Sequence, residues 1–407
     1  GEREMRMVAS VDNEKKQNIL IVHNYYQIPG GEDTVVANEK KMLEDHGHKV
    51  ILYSRNNSEL KSMTRLQKLM LPVTTVFNPR TYKDIKRLIK TEQIDIVHVH
   101  NTLSLISPAV YYAARAMKVP VVQTVHNFRL LCPGATFYRD GHICEDCVSK
   151  GLMCAVKNSC YRNSKLQTLA CVISTKIHRM TGIYGKINYI CLTEFNKEKL
   201  LQLKQVKPDR VFVKPNFVEV SRDEIIPYEK REDQFIFAGR LDKLKGVDIL
   251  FEAWKQMGAD APKLIVCGIG PMVEWCRAFL KDNPYCNIEM RGFIPNKEAR
   301  KLIANSKALI LPTQWYEGFP MTIVEAYSVG TPVIGSDLGN VGSLIQEGVC
   351  GIKFNSKESK SLINALTKTR QNLLDECEIR RFYNQHYSLN ANYSILVKIY
   401  ESIRGAV

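Results

Sequence analysis

Short apolar runs alternate with amphipathic stretches along the first half of the chain. β-Branched and aliphatic residues predict strands at 18–24, 48–54, 95–100, 119–127 and 186–193. Helical spacing of apolar residues predicts helices between them, at 34–46, 105–117 and 195–203. Apolar strands that alternate with helices are typical of a parallel sheet covered on both faces.

The same alternation restarts in the second half. The segment 207–218 contains two prolines and gives way to a charged stretch, so we interpret it as the connection between two domains. Beyond it, strands are predicted at 234–240, 263–270, 287–293, 308–313 and 331–336, and helices at 247–257, 273–280 and 297–305. The pattern predicts an α/β chain with doubly wound, Rossmann-like domains at 17–207 and 215–385, followed by a helical tail at 386–407.

Composition limits the classes of protein that fit. A chain of 407 residues that is 45% hydrophobic is globular and large enough for two domains. No run of eighteen apolar residues occurs, so no segment is expected to span a membrane. Residues 1–16 are charged and lack an apolar core, and we expect them to be neither a signal peptide nor part of the fold. A cytoplasmic location is the default expectation.

The net charge of +15 is unevenly distributed. Residues 1–207 contain 31 basic and 18 acidic side chains (+13), whereas residues 208–407 contain 26 and 24 (+2). Residues 61–90 contain eight basic residues and one acidic residue, and apolar residues are interleaved with the first three basic ones. A basic amphipathic segment of this kind suits an anionic membrane surface or a nucleic acid, although any one of these charges could equally belong to a solvated helix face.

Candidate ligand-binding groups follow several predicted strands of the second domain. In a doubly wound sheet, ligands bind at the carboxyl ends of strands, where helix N-termini present free N–H groups. Arg240 and Lys245 follow one strand, Gly268 and Gly270 follow the next, and Glu317 follows a third. Two cations and helix N-termini around one crevice would offset the charge of a diphosphate.

The segment EGFPMTIVE, residues 317–325, places two carboxylates eight residues apart. We expect Glu317 in the turn, pointing into the crevice, and Glu325 on the following helix, where it could accept hydrogen bonds from the vicinal hydroxyls of a ribose. Gly318 and Pro320 would let the backbone approach the ligand and begin the helix, which presents the N–H groups of Met321 and Thr322. A lone glutamate pair or a lone Gly-x-Gly would be weak evidence, but the ordered combination is much more specific.

These segments also resemble a known family. AGRLDKLKG, CGIGP and EGFPMTIVEAYSVGTPVI are similar to the corresponding parts of glycosyltransferase family 4 members, and the resemblance extends over most of the chain. It implies the GT-B architecture: two Rossmann-like domains facing a central cleft, with the C-terminal helix crossing back to the N-terminal domain. It implies a nucleotide-sugar-dependent hexosyltransferase of bacterial polysaccharide type, with the donor on the C-terminal domain and the acceptor on the N-terminal domain.

The resemblance also implies roles for individual residues. Arg240 and Lys245 would bind the donor diphosphate, Glu325 the ribose and Glu317 the transferred sugar. His126, at a strand end, would reach the donor sugar. The remaining donor-binding candidates are Gly30, Gly31, Gly268, Gly270, Arg291, Phe293, Gly318, Phe319, Met321 and Thr322.

The resemblance implies retention of the anomeric configuration. No Asp-x-Asp pair occurs in the sequence, so we expect no catalytic divalent metal between protein and phosphates. No nucleophilic carboxylate is evident near His126, which fits attack on the same face, with the donor phosphate taking the acceptor proton. The expected partners are a UDP- or GDP-type sugar, a saccharide or lipid-linked acceptor and an anionic membrane surface, with the protein peripheral on its inner face.

Three other classes of protein share features with this sequence. A dinucleotide-dependent oxidoreductase requires Gly-x-Gly-x-x-Gly at the first helix, which QIPGGEDT does not supply. A sugar-nucleotide epimerase on the same fold stays open. Nucleic-acid binding would account for the charge, but the aromatic residues are not interleaved with the basic ones, so no nucleic acid is expected.

Six of the twelve cysteines lie within residues 132–171, in a predicted insertion at about 130–165. Cys144 and Cys147 have the Cys-x2-Cys spacing of a structural zinc site, and Cys132 and Cys160 would complete four thiolates. The resemblance favours Cys160 over Cys154 as the fourth ligand. Free thiols, disulfides and an iron–sulfur cluster are the alternatives; disulfides are disfavoured in a reducing cytoplasm.

Overall fold

The computed structural model describes residues 14–371 and 374–405, and the prediction for the N-terminal segment therefore falls largely outside the described residues. The first domain contains a parallel six-stranded sheet with the order β2-β1-β3-β4-β7-β8 and a separate two-stranded hairpin, β5-β6. Its strands are β1 (Asn18–Tyr25), β2 (Lys49–Asn56), β3 (Ile96–Asn101), β4 (Val121–Val125), β5 (Tyr138–Arg139), β6 (His142–Ile143), β7 (Asn188–Cys191) and β8 (Val211–Val213).

Helices cover both faces of this sheet. They are α1 (Gly31–Asp45), α2 (Arg65–Val76), α3 (Pro79–Thr91), α4 (Ala109–Ala116), α5 (Asp146–Ser149), α6 (Met153–Lys157), α7 (Lys165–Met180) and α8 (Glu194–Leu200). Helix α1 begins three residues before its predicted start because Gly30 caps it: the Gly30 N–H donates to the Asp33 carboxylate 3.1 Å away.

The second domain repeats this architecture. Its parallel sheet has the order β11-β10-β9-β12-β13-β14. The strands are β9 (Gln234–Ala238), β10 (Lys263–Cys267), β11 (Ile288–Gly292), β12 (Ala308–Leu311), β13 (Val333–Ser336) and β14 (Gly351–Phe354). The helices are α9 (Val247–Met257), α10 (Val273–Asp282), α11 (Asn296–Ala304), α12 (Met321–Ser328), α13 (Gly339–Leu344), α14 (Ser359–Gln371) and α15 (Glu376–His386).

The C-terminal helix α16 (Leu389–Arg404) crosses back to the first domain. Its Leu396 and Tyr400, both fully buried, pack with Ile19, Ile21 and Val36 in one core cluster under the first sheet. The expectation for the tail and for the overall architecture is therefore confirmed: two Rossmann-like domains are joined a second time by the C-terminal helix.

One prediction was wrong. The segment 207–218 was expected to be a connection only, but β8 (Val211–Val213) pairs in parallel with β7 as an edge strand of the first sheet. The strand has three residues between Pro208 and Pro215, and so short a run gives no clear periodicity. Residue Lys214, which follows it, is buried in the first domain.

Within residues 14–371 and 374–405, no helix has both the length and the apolar character that crossing a bilayer requires.

Candidate functional site

Glycines bring the loops that follow β9, β10 and β12 into direct contact. Gly246 has φ +73°, and a Cβ there would lie 1.7 Å from the carbonyl oxygen of Pro312. Gly268 has φ +142°, and its Cβ would lie 1.8 Å from the carbonyl oxygen of Gly239. Any side chain at either position would push two loops apart, so the carboxyl ends of these strands form one continuous surface. Gly270 packs in the same way against Leu241.

Lys245 and Glu317 meet on this surface. The Lys245 Nζ lies 2.7 and 2.9 Å from the two carboxylate oxygens of Glu317, and the Thr313 hydroxyl donates to one of them at 2.7 Å. Glu317 is buried, whereas a quarter of the Lys245 side chain is exposed to the cleft. The sequence predicted separate roles for these residues, and the structure joins them in one ion pair.

Arg240 lies at the rim of the same surface. Its side chain is 65% exposed, and its Nε lies 3.1 Å from a carboxylate oxygen of Asp242. A guanidinium so exposed can turn toward an anion in the cleft without first breaking a buried contact.

Glu325 is buried on α12, one turn after the helix begins. Asn296, the first residue of α11, donates to its carboxylate at 3.2 Å. Burial raises the pKa of Glu325, and Asn296 and Arg300 act against that shift. Phe293, three residues before Asn296, is 73% exposed, so its ring is available to a ligand. Arg291, two residues earlier, pairs with Glu289.

The turn before α12 lies against the first domain. A Cβ at Gly318 would lie 3.8 Å from the carbonyl oxygen of His126, so the second domain contacts the end of β4 here. Phe319 packs against the core of its own domain. The first N–H groups of α12, from Met321 and Thr322, have no intrahelical acceptor because they open the helix.

Gly30 and Gly31 stand at the N-terminus of α1, and both are exposed. A Cβ at either position would meet no atom within 4 Å, and neither has a positive φ. Neither packing nor backbone conformation within the described chain therefore requires glycine at these positions.

His126 lines a pocket in the first domain at the carboxyl ends of β3 and β4. Its Nε2 lies 2.9 Å from His100 Nδ1. Burial, and then the neighbouring His100, lower the pKa of His126 well below its ordinary value. Glu32 and Arg129 line the same pocket, and Thr75 of α2 and Ser174 of α7 form another part of its wall.

Glu32 is a carboxylate of the same pocket that was not among the predicted site residues. Its side chain accepts a hydrogen bond from Tyr26 at 3.1 Å, and burial raises its pKa. Glu32 directly follows the glycine loop in GGEDT, and this position is the signal that could have identified it from the sequence.

Asn340, also missed from the sequence, links the two domains. Its side-chain amide donates to the carbonyl oxygens of Glu317 and Gly318, at 2.5 and 2.7 Å, and to the Asn196 amide oxygen at 3.0 Å. The Thr193 hydroxyl of the first domain donates to the side-chain amide oxygen of Asn340. Asn340 is fully buried, and it fixes the 317–318 turn relative to the first domain. No local pattern distinguishes one asparagine of this kind.

The four cysteines predicted as zinc ligands lie in one region of the insertion. The Cβ position of Gly134 is 3.8 Å from Cys132 Sγ and 3.6 Å from Cys160 Cβ. Burial and the neighbouring Cys132, Cys160 and Cys154 raise the pKa of Cys147 to about 12. In the described chain, however, the potential metal ligands whose donor atoms all lie within 4.8 Å of one another are Glu39, His98 and His100, and not the cysteines.

Comparison with known proteins shows similarity to glycosyltransferases in both domains. The profile described as Glycosyltransferase Family 4 matches residues 29–142, and the profile described as Glycosyl transferases group 1 matches residues 221–381. An uncharacterized 41.2 kDa protein from the cps region of Klebsiella pneumoniae is 24% identical over 398 residues, which cover 94% of this chain and 99% of that protein.

A second relative is named for its reaction. The Escherichia coli UDP-Gal:alpha-D-GlcNAc-diphosphoundecaprenol alpha-1,3-galactosyltransferase is 24% identical over 321 residues, covering 73% of this chain and 71% of that enzyme. The structure of the lipopolysaccharide outer core galactosyltransferase WaaB in its apo form superposes with a TM-score of 0.65 at 16% identity, covering 95% and 99% of the two chains. The two matched profiles, one in each domain, show that the chain belongs to the family 4 glycosyltransferases.

Proposed function

We propose that this enzyme moves a sugar, with retention of configuration, from a UDP- or GDP-type donor to a saccharide or lipid-linked saccharide acceptor. The product would belong to a capsule, a lipopolysaccharide or an exopolysaccharide. The observation that carries the proposal is the contact of the 317–318 turn with the end of β4 at His126. This contact supports the proposal because Glu317, which pairs with Lys245, then lies beside the pocket of the first domain, where donor and acceptor would meet.

The donor diphosphate would lie between Arg240, Lys245 and the first N–H groups of α12. These groups supply positive charge and hydrogen-bond donors where the leaving group becomes more negative in the transition state. The exposed position of Arg240 and the partial exposure of Lys245 leave both cations accessible to a ligand. Gly30 and Gly31, with free space around them, would let the first domain approach the phosphates closely.

The nucleoside would lie beside Glu325 and Phe293. A carboxylate accepts two hydrogen bonds from vicinal ribose hydroxyls, and the exposed Phe293 ring offers an apolar face to the base. Arg291 and the loop at Gly268 border this position. Glu317, held by Lys245 and Thr313, would contact the transferred sugar from a fixed orientation.

In the reaction, the bond between the anomeric carbon and the donor phosphate oxygen breaks, and a bond to the acceptor oxygen forms on the same face. The acceptor proton passes to the departing phosphate oxygen. Lys245 and Arg240 stabilise the charge that develops on that phosphate. Glu32 would accept a hydrogen bond from the acceptor saccharide, since its carboxylate lines the pocket that contains His126.

An anionic membrane surface would bind at α2 and α7, here called the α2–α7 surface. Eight of the fourteen exposed large hydrophobic side chains in the described part of the chain belong to these two helices: Leu66, Leu69, Met70, Val73, Leu166, Ile173, Ile177 and Met180. Neither helix contains an acidic residue, and both contain basic ones. The carbonyl oxygen of Val76 lies 2.9 Å from His178 Nε2, which joins the helices.

This surface suits a lipid-linked acceptor. The walls of the pocket that contains His126 include Thr75 of α2 and Ser174 of α7, so one end of the pocket adjoins the apolar surface. A lipid chain lying at the surface would leave its saccharide head group at the pocket. The E. coli relative, whose named acceptor is a diphosphoundecaprenol-linked sugar, supports this assignment.

We also propose a structural zinc ion in the insertion, held by Cys132, Cys144, Cys147 and Cys160. The four cysteines lie in one region of the insertion, which favours the site. Their four sulfur atoms do not all lie within 4.8 Å of one another in the described chain, so zinc binding would draw them closer together. Four thiolates around one ion would connect the end of the hairpin, α5 and the segment after α6. Cys147 of α5 and Cys160 after α6 already share a small apolar cluster.

The proposal is tested by following candidate UDP- and GDP-sugars by proton NMR, with and without lipid-linked saccharide acceptors. The expected result is release of the nucleoside diphosphate only when acceptor is present, with a product that has the anomeric configuration of the donor. Conversion of one nucleotide sugar into another without acceptor would instead indicate the epimerase. Inversion of configuration would contradict the proposed mechanism.

A further inference from the structure

A row of buried polar side chains extends from His126 to the C-terminal helix. His126 Nε2 lies 2.9 Å from His100 Nδ1, and His100 Nε2 lies 3.0 Å from one carboxylate oxygen of Glu39. Lys214 Nζ lies 3.1 Å from the other oxygen of Glu39. Glu39, His100 and Lys214 are each at most 3% exposed, so water does not compete for these contacts.

Glu39 is ionised in this setting. Burial raises its pKa, but the ammonium group of Lys214, 3.1 Å away, stabilises the carboxylate, and the pKa of Glu39 lies well below its ordinary value. A carboxylate can only accept hydrogen bonds, so the proton between Glu39 and His100 must lie on His100 Nε2.

The charges then determine the state of His100. Glu39 and Lys214 neutralise each other, and a charged imidazolium would add an unpaired buried cation. His100 is therefore neutral, with a lone pair on Nδ1. It follows that His126 donates its Nε2 proton to His100, and that the lone pair of His126 lies on Nδ1. Within the described chain, Nδ1 of His126 has no hydrogen-bond partner, and His126 lines the pocket.

The C-terminal helix α16 holds both sides of this row. The ammonium group of Lys214 also donates to the side-chain oxygen of Asn392 at 3.1 Å, and the side-chain nitrogen of Asn392 donates to the carbonyl oxygen of Pro215 at 2.6 Å. The His98 ring stacks on His100 with centroids 4.6 Å apart, and its Nδ1 lies 2.7 Å from the Tyr400 hydroxyl. These contacts fix the plane of His100, and through it that of His126.

A metal ion is the other chemistry that Glu39, His98 and His100 could supply. The Glu39 oxygen already lies at hydrogen-bond distance from both imidazoles, and an ammonium group neutralises the carboxylate. A divalent cation would stand next to the ammonium of Lys214 in a buried site, which is strongly unfavourable. The hydrogen-bonded arrangement is therefore favoured.

We propose that Glu39 and His100 are positioning residues that hold His126 as its Nε2–H tautomer, so that Nδ1 accepts a hydrogen bond from a sugar hydroxyl. This inference rests on the proposed function for the identity of the sugar, but the tautomer itself does not depend on activity. Helix α16 would thus act on the site from the far side of the domain by holding Lys214 and His98.

The tautomer is measured in the full-length protein labelled with [15N]histidine, by two-bond proton–nitrogen correlation near pH 7.5. The His126→Gln variant assigns the His126 signals. The expected pattern is a protonated Nε2 and an unprotonated Nδ1 for both His126 and His100. A protonated Nδ1 on His126, or an imidazolium at either position, would overturn the proposal, as would stoichiometric metal on these residues.

Variants separate positioning from a general structural role. In Glu39→Gln combined with Lys214→Met, the buried charges are removed together, and the His126 signals should change to mixed tautomers while exposed His142 keeps its own. His100→Gln should lower kcat/KM roughly tenfold, the value of one hydrogen bond, and should add nothing to His126→Gln. Additive losses, or unchanged His126 signals in the folded double variant, contradict the proposal. If the NMR pattern holds but no donor is turned over, the proposed function fails and the tautomer assignment stands.

Discussion

Lys245 and Glu317 form an ion pair between the loops that follow β9 and β12, with the ammonium nitrogen 2.7 and 2.9 Å from the two carboxylate oxygens. The pair holds the cation assigned to the donor diphosphate against the carboxylate assigned to the transferred sugar. Asn340 fixes the backbone of the same turn relative to the first domain. The position of one group therefore depends on the other.

Replacing Lys245 by alanine should lower kcat by about 10²–10³-fold, because the leaving phosphate loses a preorganised cation. The thermal unfolding temperature should also fall, because the buried carboxylate of Glu317 loses its ammonium partner, so kcat is compared at a temperature where the variant is fully folded. Steady-state kinetics with a saturating donor measures the effect. Lys243→Ala is the matched control, because Lys243 is exposed in the same short turn. Equal losses in both variants would contradict the assignment.

Replacing Glu325 by alanine should weaken binding of the nucleoside diphosphate by about 10–100-fold, the value of hydrogen bonds to a charged group. Titration calorimetry measures it, with Glu298→Ala on the exposed face of α11 as the control. Since the pKa of Glu325 is raised, the carboxyl takes up a proton at higher pH than an ordinary glutamate. Affinity in the wild type should therefore begin to fall as pH drops toward that raised value, before ordinary carboxylates titrate.

Much of the fold could be predicted because a continuous run of β-branched and aliphatic residues indicates a strand from local sequence alone. Strands β1, β3 and β12 were found within one or two residues. Strand β8 was missed because three residues between prolines carry too little pattern. Helix ends set by caps, such as Gly30 with Asp33, were displaced by a few residues.

The donor-side residues could be named from the sequence because they lie in short segments that directly follow strands. The contacts that hold the site together could not. Asn340 meets Thr193 from 147 residues away, and His98 meets Tyr400 from 302 residues away. Only the fold brings such pairs together. His98 and His100 alternate along β3, but their partner Glu39 lies on helix α1, and no local pattern connects the two.

Reversing Arg65 and Lys68 together with Lys61 to glutamate should abolish co-sedimentation with vesicles that contain anionic lipid. Each basic residue near such a surface contributes about 1 kcal/mol, so reversing three of them replaces attraction by repulsion of similar size. Replacing Leu66, Leu69 and Val73 by serine should have a similar effect by removing apolar contacts. Reversal of the exposed Lys357, Lys360 and Lys368 in the second domain is the control. Unchanged binding in the first two variants would exclude the α2–α7 surface.

Elemental analysis should find one zinc per chain. Cys144→Ser should lose the metal together with much of the soluble yield, because the insertion has little apolar material of its own. Cys377→Ser, at an exposed cysteine on α15, should keep both. A metal-free protein that is folded and fully active would exclude the zinc site. A coloured protein that contains iron would indicate an iron–sulfur cluster in place of zinc.

The most direct measurement of the central claim is acceptor-dependent release of nucleoside diphosphate by the wild-type enzyme, across a panel of UDP- and GDP-sugars with lipid-linked saccharides. The account predicts turnover of at least one donor, lost in both Lys245→Ala and Glu325→Ala and kept in Lys243→Ala. Turnover that survives both substitutions, or no release from any nucleotide sugar by the folded protein, would contradict it.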